Sequence, residues 1–424
     1  MNYTLAYGRS YLSVDLPADL NVSVVESVPT PGLDNPLDAL TDALQAPIGS
    51  EPLASRVSRG EKVGIVVNDI TRHTPTPLLL RAIRETLAHI PDDDIAIFVA
   101  TGTHRANTAS ELEEMLGGPW ADRHKIYQND ALDDSSHVAV GRTSSGNTIW
   151  LNQALMDCDF RIATGFIEPH IFAGFSGGGK AFLPGMAGMA SILHNHSVAN
   201  VDHHHARWGI TSGNPIAAEI QEATAFVEPA FLINVALNQD HEVAQVFAGD
   251  MHEAHLEGCS FVKEHMMVPV AETFDIVLTN NAGYPLDLNI YQSIKGMSAA
   301  AQITKKGGSI LIVAECWDGI PDHGDYARLM QEADSLEALL DMLHKPGYVQ
   351  RDSWQAQIQA SITLNTDIYL HSHLLDESLI RSVKLQPATS IEDTVEHLLA
   401  RYGREAKICV MPEGPLAIPY ILGA

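Results

Sequence analysis

The amino-acid sequence predicts an α/β protein of two domains, each built on a mostly parallel sheet with helices on its faces. The chain has 424 residues, which is long for a single domain. Short apolar runs such as KVGIVVND end in polar residues, as buried parallel strands do, and they alternate with amphipathic helical stretches. The alternation restarts after EHMMVPVAET at 264–273, so we expect domains at 1–268 and 269–424. With this division, the extreme C-terminus could pack back on the first domain.

The first predicted domain begins with short strands in residues 1–27 and a short helix near 37–44. Longer apolar runs then predict buried strands at KVGIVVND, DIAIFVATG, DFRIATG and PAFLINVALN. Helices are predicted at PLLLRAIRETLAHI, TASELEEMLG, 186–199, 214–226 and 250–265. Thr108 is expected to cap the second of these helices, because Glu111 follows it at capping-box spacing.

The second predicted domain repeats this pattern. Its strands are expected at FDIVLTN, GGSILIVAE and AKICVMP, and its helices at LNIYQSIKGMSAAAQI, EADSLEALLDMLHK and SIEDTVEHLLARYG. The order predicts an open sheet with helices on both faces. Ligands of such sheets bind beyond the carboxyl ends of the strands, so polar residues at those ends are the first candidates for a site.

Composition excludes several classes of function. The formal net charge of −27 argues against nucleic acid and anionic membranes as partners. No run of about 18 apolar residues predicts a membrane span, and the N-terminus does not resemble a signal peptide. The four cysteines are far apart and form no CxxC pair, which is typical of a reducing compartment. These features predict a cytoplasmic protein with a small-molecule ligand.

Reactive side chains follow several predicted strands. Asp69 ends the run IVVND and Arg72 comes three residues later, His104 follows FVATG, and His170 follows RIATG. Each has a simpler interpretation, because Asp69 and Arg72 could form an ion pair and a lone histidine after a strand is more often a capping or core residue. Because two histidines follow predicted parallel strands, the alternative is that both face one cleft and act in catalysis.

The segment GFSGGGK, ending at Lys180, resembles a phosphate loop, but it departs from one in two ways. The preceding strand ends about ten residues too early, and Ala181 stands where a magnesium-binding Ser or Thr is required. Gly177, Gly178 and Gly179 could still expose backbone N–H groups to a phosphate or let a cofactor approach, or they could form a simple turn. Lys180 is therefore a candidate for covalent attachment of a cofactor.

Taken together, the motifs resemble the nickel-dependent lactate racemase (LarA) family of 2-hydroxyacid racemases and epimerases over essentially the whole chain. The motifs are DITR (69–72), TGTHR (101–105), EPHIFAGFSGGGKAFLPG (168–185), HNH (194–196) and YQSIKG (291–296). The resemblance implies a nickel-pincer nucleotide, a pyridinium mononucleotide whose sulfur arms and one ring carbon bind nickel. Lys180 would hold it through a thioamide, and His196 would be the protein ligand of nickel.

The resemblance also implies a mechanism, in which a base takes the hydroxyl proton of a 2-hydroxyacid while hydride leaves its Cα for the cofactor. His104 and His170 would be the two bases, one for each enantiomer. Arg72 and Lys295 would bind the substrate carboxylate. The remaining contacts to substrate or cofactor would come from Asp69, Tyr291, Gln292, Trp354 and the loop glycines 177–179.

The predicted function is therefore racemisation or epimerisation of a short, lactate-like 2-hydroxyacid, with the site in the cleft between the domains. Enzymes of cofactor synthesis would be partners during maturation. Two alternatives remain at this point: a phosphate-loop hydrolase or kinase, and a non-catalytic protein that binds the cofactor. His73 stands where many family members are expected to have proline, and the His203–His205 run is most simply a solvated turn.

Overall fold

The strands of the protein follow the predicted order in a computed structural model that describes residues 1–321 and 324–422. They are β1 (Asn2–Tyr7), β2 (Ser10–Asp15), β3 (Asn21–Val24), β4 (Val63–Asn68), β5 (Ile95–Ala100), β6 (Lys125–Gln128), β7 (His137–Arg142), β8 (Thr148–Asn152), β9 (Phe160–Phe166), β10 (Pro169–His170), β11 (Gly174–Phe175), β12 (Ala230–Leu237), β13 (Val243–Gly249), β14 (Met267–Val270), β15 (Phe274–Asn280), β16 (Thr304–Val313), β17 (Asp367–His371), β18 (Gln386–Pro387), β19 (Lys407–Met411) and β20 (Ile418–Ile421).

The helices lie between these strands. They are α1 (Pro36–Gln45), α2 (Leu53–Arg56), α3 (Thr76–Thr86), α4 (Ala109–Leu116), α5 (Gly118–Arg123), α6 (Gln153–Met156), α7 (Met189–Asn195), α8 (Val198–Val201), α9 (Pro215–Thr224), α10 (Glu253–Met266), α11 (Ile290–Ala301), α12 (Tyr326–Glu332), α13 (Leu336–Leu343), α14 (Ser353–Thr363), α15 (Glu377–Ser382) and α16 (Ile391–Tyr402). Short 3-10 helices lie at Asp92–Asp94, Asp134–Ser136, Gly178–Ala181 and Gly414–Leu416.

The continuous unit comprises residues Pro29–Glu264 and contains a six-stranded sheet of order β13-β12-β9-β4-β5-β6. All neighbours in this sheet are parallel except β12 and β13. The central strand β4 is buried, with Ile65, Val66 and Val67 fully inaccessible, and Ile65 and Val67 belong to a core cluster that includes side chains of α1 and α3. Burial of each such side chain contributes about 1.5–3 kcal/mol to stability.

The split unit comprises Met1–Val28 together with His265–Ala424. Its sheet has the order β18-β17-β16-β15-β19-β3, and every neighbouring pair in it is parallel. The α/β class with parallel, helix-flanked sheets is thus confirmed in both units.

The N-terminus corrects the predicted first domain, 1–268. β3 forms the edge of the split unit's sheet beside β19, and the backbone N–H of Val25 donates to the carbonyl of Val410 at 3.0 Å. At the other end of the chain, β20 pairs in parallel with β14 inside the split unit. Residues 1–28 therefore belong to the split unit, and packing of the extreme C-terminus on the first domain stays a prediction.

Within the described residues, no helix combines the length and the apolar character needed to cross a membrane.

Candidate active site

Polar side chains follow three neighbouring strands of the continuous unit. β9, β4 and β5 lie side by side and run parallel, so their carboxyl ends meet at one edge of the sheet. Asp69 and Arg72 follow β4, His104 follows β5, and His170 follows β9 at the start of a short hairpin. The sheet therefore brings the predicted strand-end residues to one edge, as the sequence had indicated.

Asp69 and His104 form a carboxylate–imidazole pair, with Asp69 Oδ2 2.6 Å from His104 Nδ1. Burial of Asp69 favours its neutral form, but the charges of His104 and Arg72, together with hydrogen bonds from His104 and Thr71, outweigh burial and hold its pKa at about 2. An ionised carboxylate can only accept hydrogen bonds, so His104 carries a proton on Nδ1. When His104 is neutral, its Nε2 is the basic nitrogen.

The loop that carries His104 is anchored at its next residue. Arg105 forms a bidentate pair with Glu111 on α4, at 2.9 and 2.7 Å. Glu111 also completes the predicted capping box, because its side chain accepts from the backbone N–H of Thr108 while Thr108 Oγ1 accepts from that of Glu111. The helix start thus fixes the position of the loop.

His170 lies in the hairpin formed by β10 and β11. Its Nδ1 accepts from the backbone N–H groups of Ala173 at 3.2 Å and Phe172 at 3.4 Å. A neutral His170 therefore carries its proton on Nε2. The two histidines are held in opposite tautomers, since His104 is protonated on Nδ1 and His170 on Nε2.

Phe172, at the turn of this hairpin, is the common neighbour of three candidate residues. Its ring meets His170 edge-to-face at a centroid distance of 4.7 Å and His196 at 4.9 Å. The Lys180 amine lies 5.9 Å from the centroid of the same ring. His170, Lys180 and His196, which are spread over 27 positions of the sequence, are thereby gathered around one buried aromatic side chain.

Lys180 lies in the 3-10 turn Gly178–Ala181, and its side chain is partly buried. Burial is the main reason that its pKa falls to about 7, and the positive charge of Arg72 lowers it further, while Glu168 opposes the change. A substantial fraction of the amine is therefore unprotonated and nucleophilic at neutral pH. Arg72 acts electrostatically on both Asp69 and Lys180, which places it close to both.

The lowered pKa of Lys180 predicts selective acylation of the cofactor-free protein. The free-amine fraction of Lys180 rises with pH and reaches half near pH 7, well below the pH of about 10.4 that is usual for a lysine side chain. The solvent-exposed Lys125 serves as the comparison residue. Brief labelling with an amine-directed reagent between pH 5 and 10, followed by peptide mass spectrometry, measures both residues. Parallel pH profiles for Lys180 and Lys125 would contradict the expected difference.

His196 directly follows α7, and its backbone N–H donates to the carbonyl of Ile192 at 2.8 Å. Burial, followed by the charge of Lys180, moves its pKa well below the ordinary histidine range. The imidazole is therefore neutral at physiological pH, which is the form that binds a metal ion. A buried neutral imidazole beside a nucleophilic amine fits the donor set expected for a tethered nickel cofactor.

The glycine loop is closely packed against protein side chains. A Cβ on Gly177 would lie 2.5 Å from Asn234 Oδ1, and one on Gly178 would lie 2.6 Å from the ring of His255. The N–H of Gly178 already donates to Asn234 Oδ1 at 2.8 Å. Packing thus accounts for glycine at these two positions, and binding of a phosphate or cofactor by residues 177–179 stays a prediction.

The other predicted site residues lie in the split unit. Tyr291, Gln292 and Lys295 are on α11, and Trp354 is on α14. Trp354 Nε1 donates to the Tyr291 hydroxyl at 3.0 Å. Burial, and then the negative charge of Asp352, raise the pKa of Tyr291 well above its ordinary value, so the phenol is neutral. The structure thus joins Tyr291 to Trp354 and places Gln292 and Lys295 on the same helix.

Two further groups of histidines stand apart from these contacts. His73 stacks on His241 with ring centroids 3.8 Å apart and an interplanar angle of 13°. The rings of His203 and His205 both contact His204, at 4.5 and 4.1 Å, in a turn where His204 is exposed. The latter arrangement agrees with a solvated turn.

Sequence reasoning missed the contributions of Phe172, Glu168 and Asn234. Phe172 was hidden because an aromatic residue in an apolar stretch looks like ordinary core. Glu168 was recognised only as part of a motif, and its electrostatic effect on Lys180 depends on tertiary placement. Asn234 in β12 carried a weak signal, since a polar residue inside an otherwise apolar strand needs a buried hydrogen-bond partner.

The fold and this group of side chains define a two-unit α/β enzyme, and comparison with known proteins identifies its family. Residues 7–209 match the lactate racemase N-terminal domain, and residues 270–418 match the lactate racemase C-terminal domain. The chain belongs to the lactate racemase family, and it is accordingly an isomerase of the racemase type.

Named relatives cover almost the whole chain. The sequence is 38% identical to the lactate racemase of Lactiplantibacillus plantarum over 382 residues, covering 89% of each protein. It is 33% identical to that of Thermoanaerobacterium thermosaccharolyticum over 420 residues, covering 97% of this chain and 98% of the relative.

Two solved structures are similar to this chain. The lactate racemase apoprotein from Thermoanaerobacterium thermosaccharolyticum superposes with a TM-score of 0.89 at 32% identity, covering 99% of this chain and all of that one. A Thermotoga maritima protein superposes with a TM-score of 0.72 at 18% identity, covering 91% of this chain and 98% of that chain, which is a likeness of fold.

Proposed function

We propose that this racemase interconverts the enantiomers of lactate or another short 2-hydroxyacid with a nickel-pincer nucleotide bound covalently at Lys180. The observation that carries the proposal is the grouping of Lys180, His196 and His170 around Phe172. The names of the two relatives support lactate as the substrate to test first.

Two residues of this chain fit the cofactor. Lys180, with a pKa of about 7, offers a nucleophilic amine for a thioamide linkage, and His196 offers a neutral imidazole for nickel. When bound, the nucleotide supplies an acceptor that takes hydride from the substrate and returns it. The Thermoanaerobacterium thermosaccharolyticum relative was solved as an apoprotein, which supports a cofactor-dependent enzyme of this kind. Loading then requires cofactor-synthesis enzymes as partners.

His104 and His170 handle the hydroxyl proton in this proposal. The carboxylate of Asp69 holds the proton of His104 on Nδ1, so Nε2 is the nitrogen that takes the substrate's hydroxyl proton, and the same carboxylate stabilises the resulting imidazolium. His170 offers Nε2–H as a donor to a substrate oxygen. For the opposite enantiomer the roles exchange, and His170 must release its two backbone contacts, which are weak at 3.2 and 3.4 Å.

Arg72 is assigned to the substrate carboxylate. Its guanidinium donates to Thr71 Oγ1 at 2.9 Å and to the Thr71 carbonyl at 3.2 Å, which restrains the side chain near the Asp69 pair. A guanidinium presents a planar set of donors that matches a carboxylate. Lys295 is proposed as a second cation for the same group, with Tyr291, Gln292 and Trp354 as further contacts to substrate or cofactor.

The geometry opposes the phosphate-loop alternative. A phosphate loop joins a strand directly to a helix whose first N–H groups face the phosphate. Here β9 ends at Phe166, a hairpin follows, and Lys180 lies in a four-residue 3-10 helix, well before α7 begins at Met189. Neither the strand nor the helix is placed for a nucleoside triphosphate.

The test is to express the chain together with cofactor-synthesis enzymes and to measure intact mass, nickel content and racemisation of enantiopure lactate. We expect a mass increase localised to the peptide containing Lys180, nickel in proportion to that adduct, and conversion of each lactate enantiomer by chiral chromatography. A loaded protein that converts no lactate but converts another 2-hydroxyacid would change the substrate. An unmodified, nickel-free chain that still racemises lactate would overturn the cofactor proposal.

A further inference from the structure

Glu219 on α9 is a buried carboxylate, 4% exposed, that lies among side chains flanking His196. Its Oε2 accepts from Asn195 Nδ2 at 2.8 Å and from Asn147 Nδ2 at 3.1 Å. Its Oε1 accepts from the hydroxyls of Thr143, at 3.1 Å, and Ser145. A buried carboxylate with this many donors is fully satisfied and fixed in place.

The carboxylate links three separate elements. Asn195 is the last residue of α7, whereas Thr143, Ser145 and Asn147 lie in the turn between β7 and β8. His194 Nδ1, also on α7, lies 3.4 Å from Glu219 Oε1. Glu219 thus holds the end of α7 against both α9 and the hairpin turn.

The first turn of α7 is fixed to the same hairpin. Ser191 Oγ donates to the carbonyl of Thr148 at 2.9 Å and accepts from the N–H of Trp150 at 2.8 Å. Asn147 Nδ2 donates to the carbonyl of Ser191 at 3.0 Å. A helix of seven residues has little rigidity of its own, so these contacts determine where its last turn lies.

We infer that Glu219 is a positioning residue for His196, acting through Asn195, and this inference rests on the proposed role of His196 as the nickel ligand. Asn195 and His196 are consecutive, so a movement of the Asn195 backbone carries the imidazole of His196 with it. Metal ligands depend on such outer contacts, and loss of one typically weakens metal binding about 10–100-fold.

The chain offers a matched control on the same helix. Glu222 lies three residues beyond Glu219 and accepts from the N–H and the hydroxyl of Ser144, at 2.6 and 2.9 Å, in the same hairpin turn. Its contacts are to the turn rather than to α7. Glu222→Ala therefore removes a carboxylate from the same helix and hairpin without removing the link to Asn195.

The experiment measures the rate at which nickel is lost from the loaded protein in a chelator, normalised to the Lys180 adduct. Glu219→Ala should lose nickel about tenfold faster than wild type. Glu219→Gln should restore retention, because its single oxygen can still accept from Asn195 while the hydroxyls of Thr143 and Ser145 turn to accept from its amide. Glu222→Ala should behave as wild type. The inference is overturned if Glu219→Ala retains nickel as well as wild type does. It is also overturned if Glu222→Ala loses nickel as fast as Glu219→Ala.

A second variant and a second measurement keep the inference testable if Glu219→Ala does not fold. Asn195→Leu has a similar size but removes the amide that donates to Glu219 at 2.8 Å and to the carbonyl of Ile216 at 3.3 Å, and it leaves the bonds from Glu219 to the hairpin turn in place. It should show the same rapid loss of nickel. In the cofactor-free protein, the NMR signals of the His196 ring should shift in Asn195→Leu and stay unchanged in Glu222→Ala. An unchanged His196 signal contradicts positioning by Glu219, whereas nickel retention by His196→Ala would instead contradict the proposed ligand.

Discussion

Replacement of Lys180 by alanine should abolish the covalent adduct and reduce racemisation to background, while the chain stays folded. Lys180 supplies the amine of the group around Phe172. Burial lowers the pKa of this amine, which shows that the surroundings disfavour its charge, so an uncharged alanine should be tolerated there. Alanine cannot form the thioamide, so the nucleotide has no attachment. Intact-mass spectrometry after co-expression with the synthesis enzymes measures the adduct, and chiral chromatography measures turnover.

Two further variants separate covalent attachment from charge. Lys180→Arg retains a cation near Phe172, but a guanidinium remains protonated and is a poor nucleophile, so this variant should also lack the adduct. Lys125→Ala, which removes an exposed lysine from β6, should be modified and active like wild type. An adduct on either Lys180 variant would place the attachment elsewhere in the chain.

The parts of the fold that sequence predicted well are those whose signal is local. β4, β5 and β9 are continuous apolar runs with a polar end, and such runs predict both a buried strand and the edge at which a ligand binds. Thr108 and Glu111 carry a complete capping signal within four positions, and the structure contains that capping box. In each case the residues that determine the structure are neighbours in sequence.

The parts that sequence did not predict depend on distant partners. β3 has short, mixed character, and its place in the split unit is determined by pairing with β19 at the other end of the chain. Phe172 reads as a core residue until its ring contacts with His170 and His196 are known. Glu219 reads as one polar position of an amphipathic helix, because its donors come from a hairpin and a helix that precede it by 24 to 76 residues.

The tautomers of the two histidines follow from contacts that no motif displays. The motif TGTHR identifies His104, but only the 2.6 Å contact with Asp69 fixes the proton on Nδ1. The motif EPH identifies His170, but the hairpin turn directs two backbone N–H groups at its Nδ1. The two histidines are identified by similar motifs, but their contacts hold them in different tautomers before proton transfer begins.

Removal of either His104 or His170 should leave the adduct and the nickel in place but reduce racemisation of both enantiomers by about 10²–10⁴-fold, the usual contribution of a general base. Conversion in either direction needs one neutral imidazole to take a proton from the hydroxyl and the other, as an imidazolium, to return one, so loss of either histidine interrupts both directions. Asp69→Asn should act in the same sense, because its amide can donate to Nδ1 of His104 and shift the proton to Nε2. Intact mass, nickel content and chiral turnover of His104→Ala, His170→Ala and Asp69→Asn measure these effects.

The exposed histidine run supplies the control for these three variants. His204→Ala removes an imidazole of the same type from a solvated turn, and its turnover should equal that of wild type. Loaded His104→Ala or His170→Ala protein with undiminished turnover would show that the corresponding imidazole is not a base. If both variants kept full turnover, proton transfer would have to be assigned to another group. If only Asp69→Asn lost turnover, Asp69 would be required for a reason other than the tautomer of His104, since His104 itself would be dispensable.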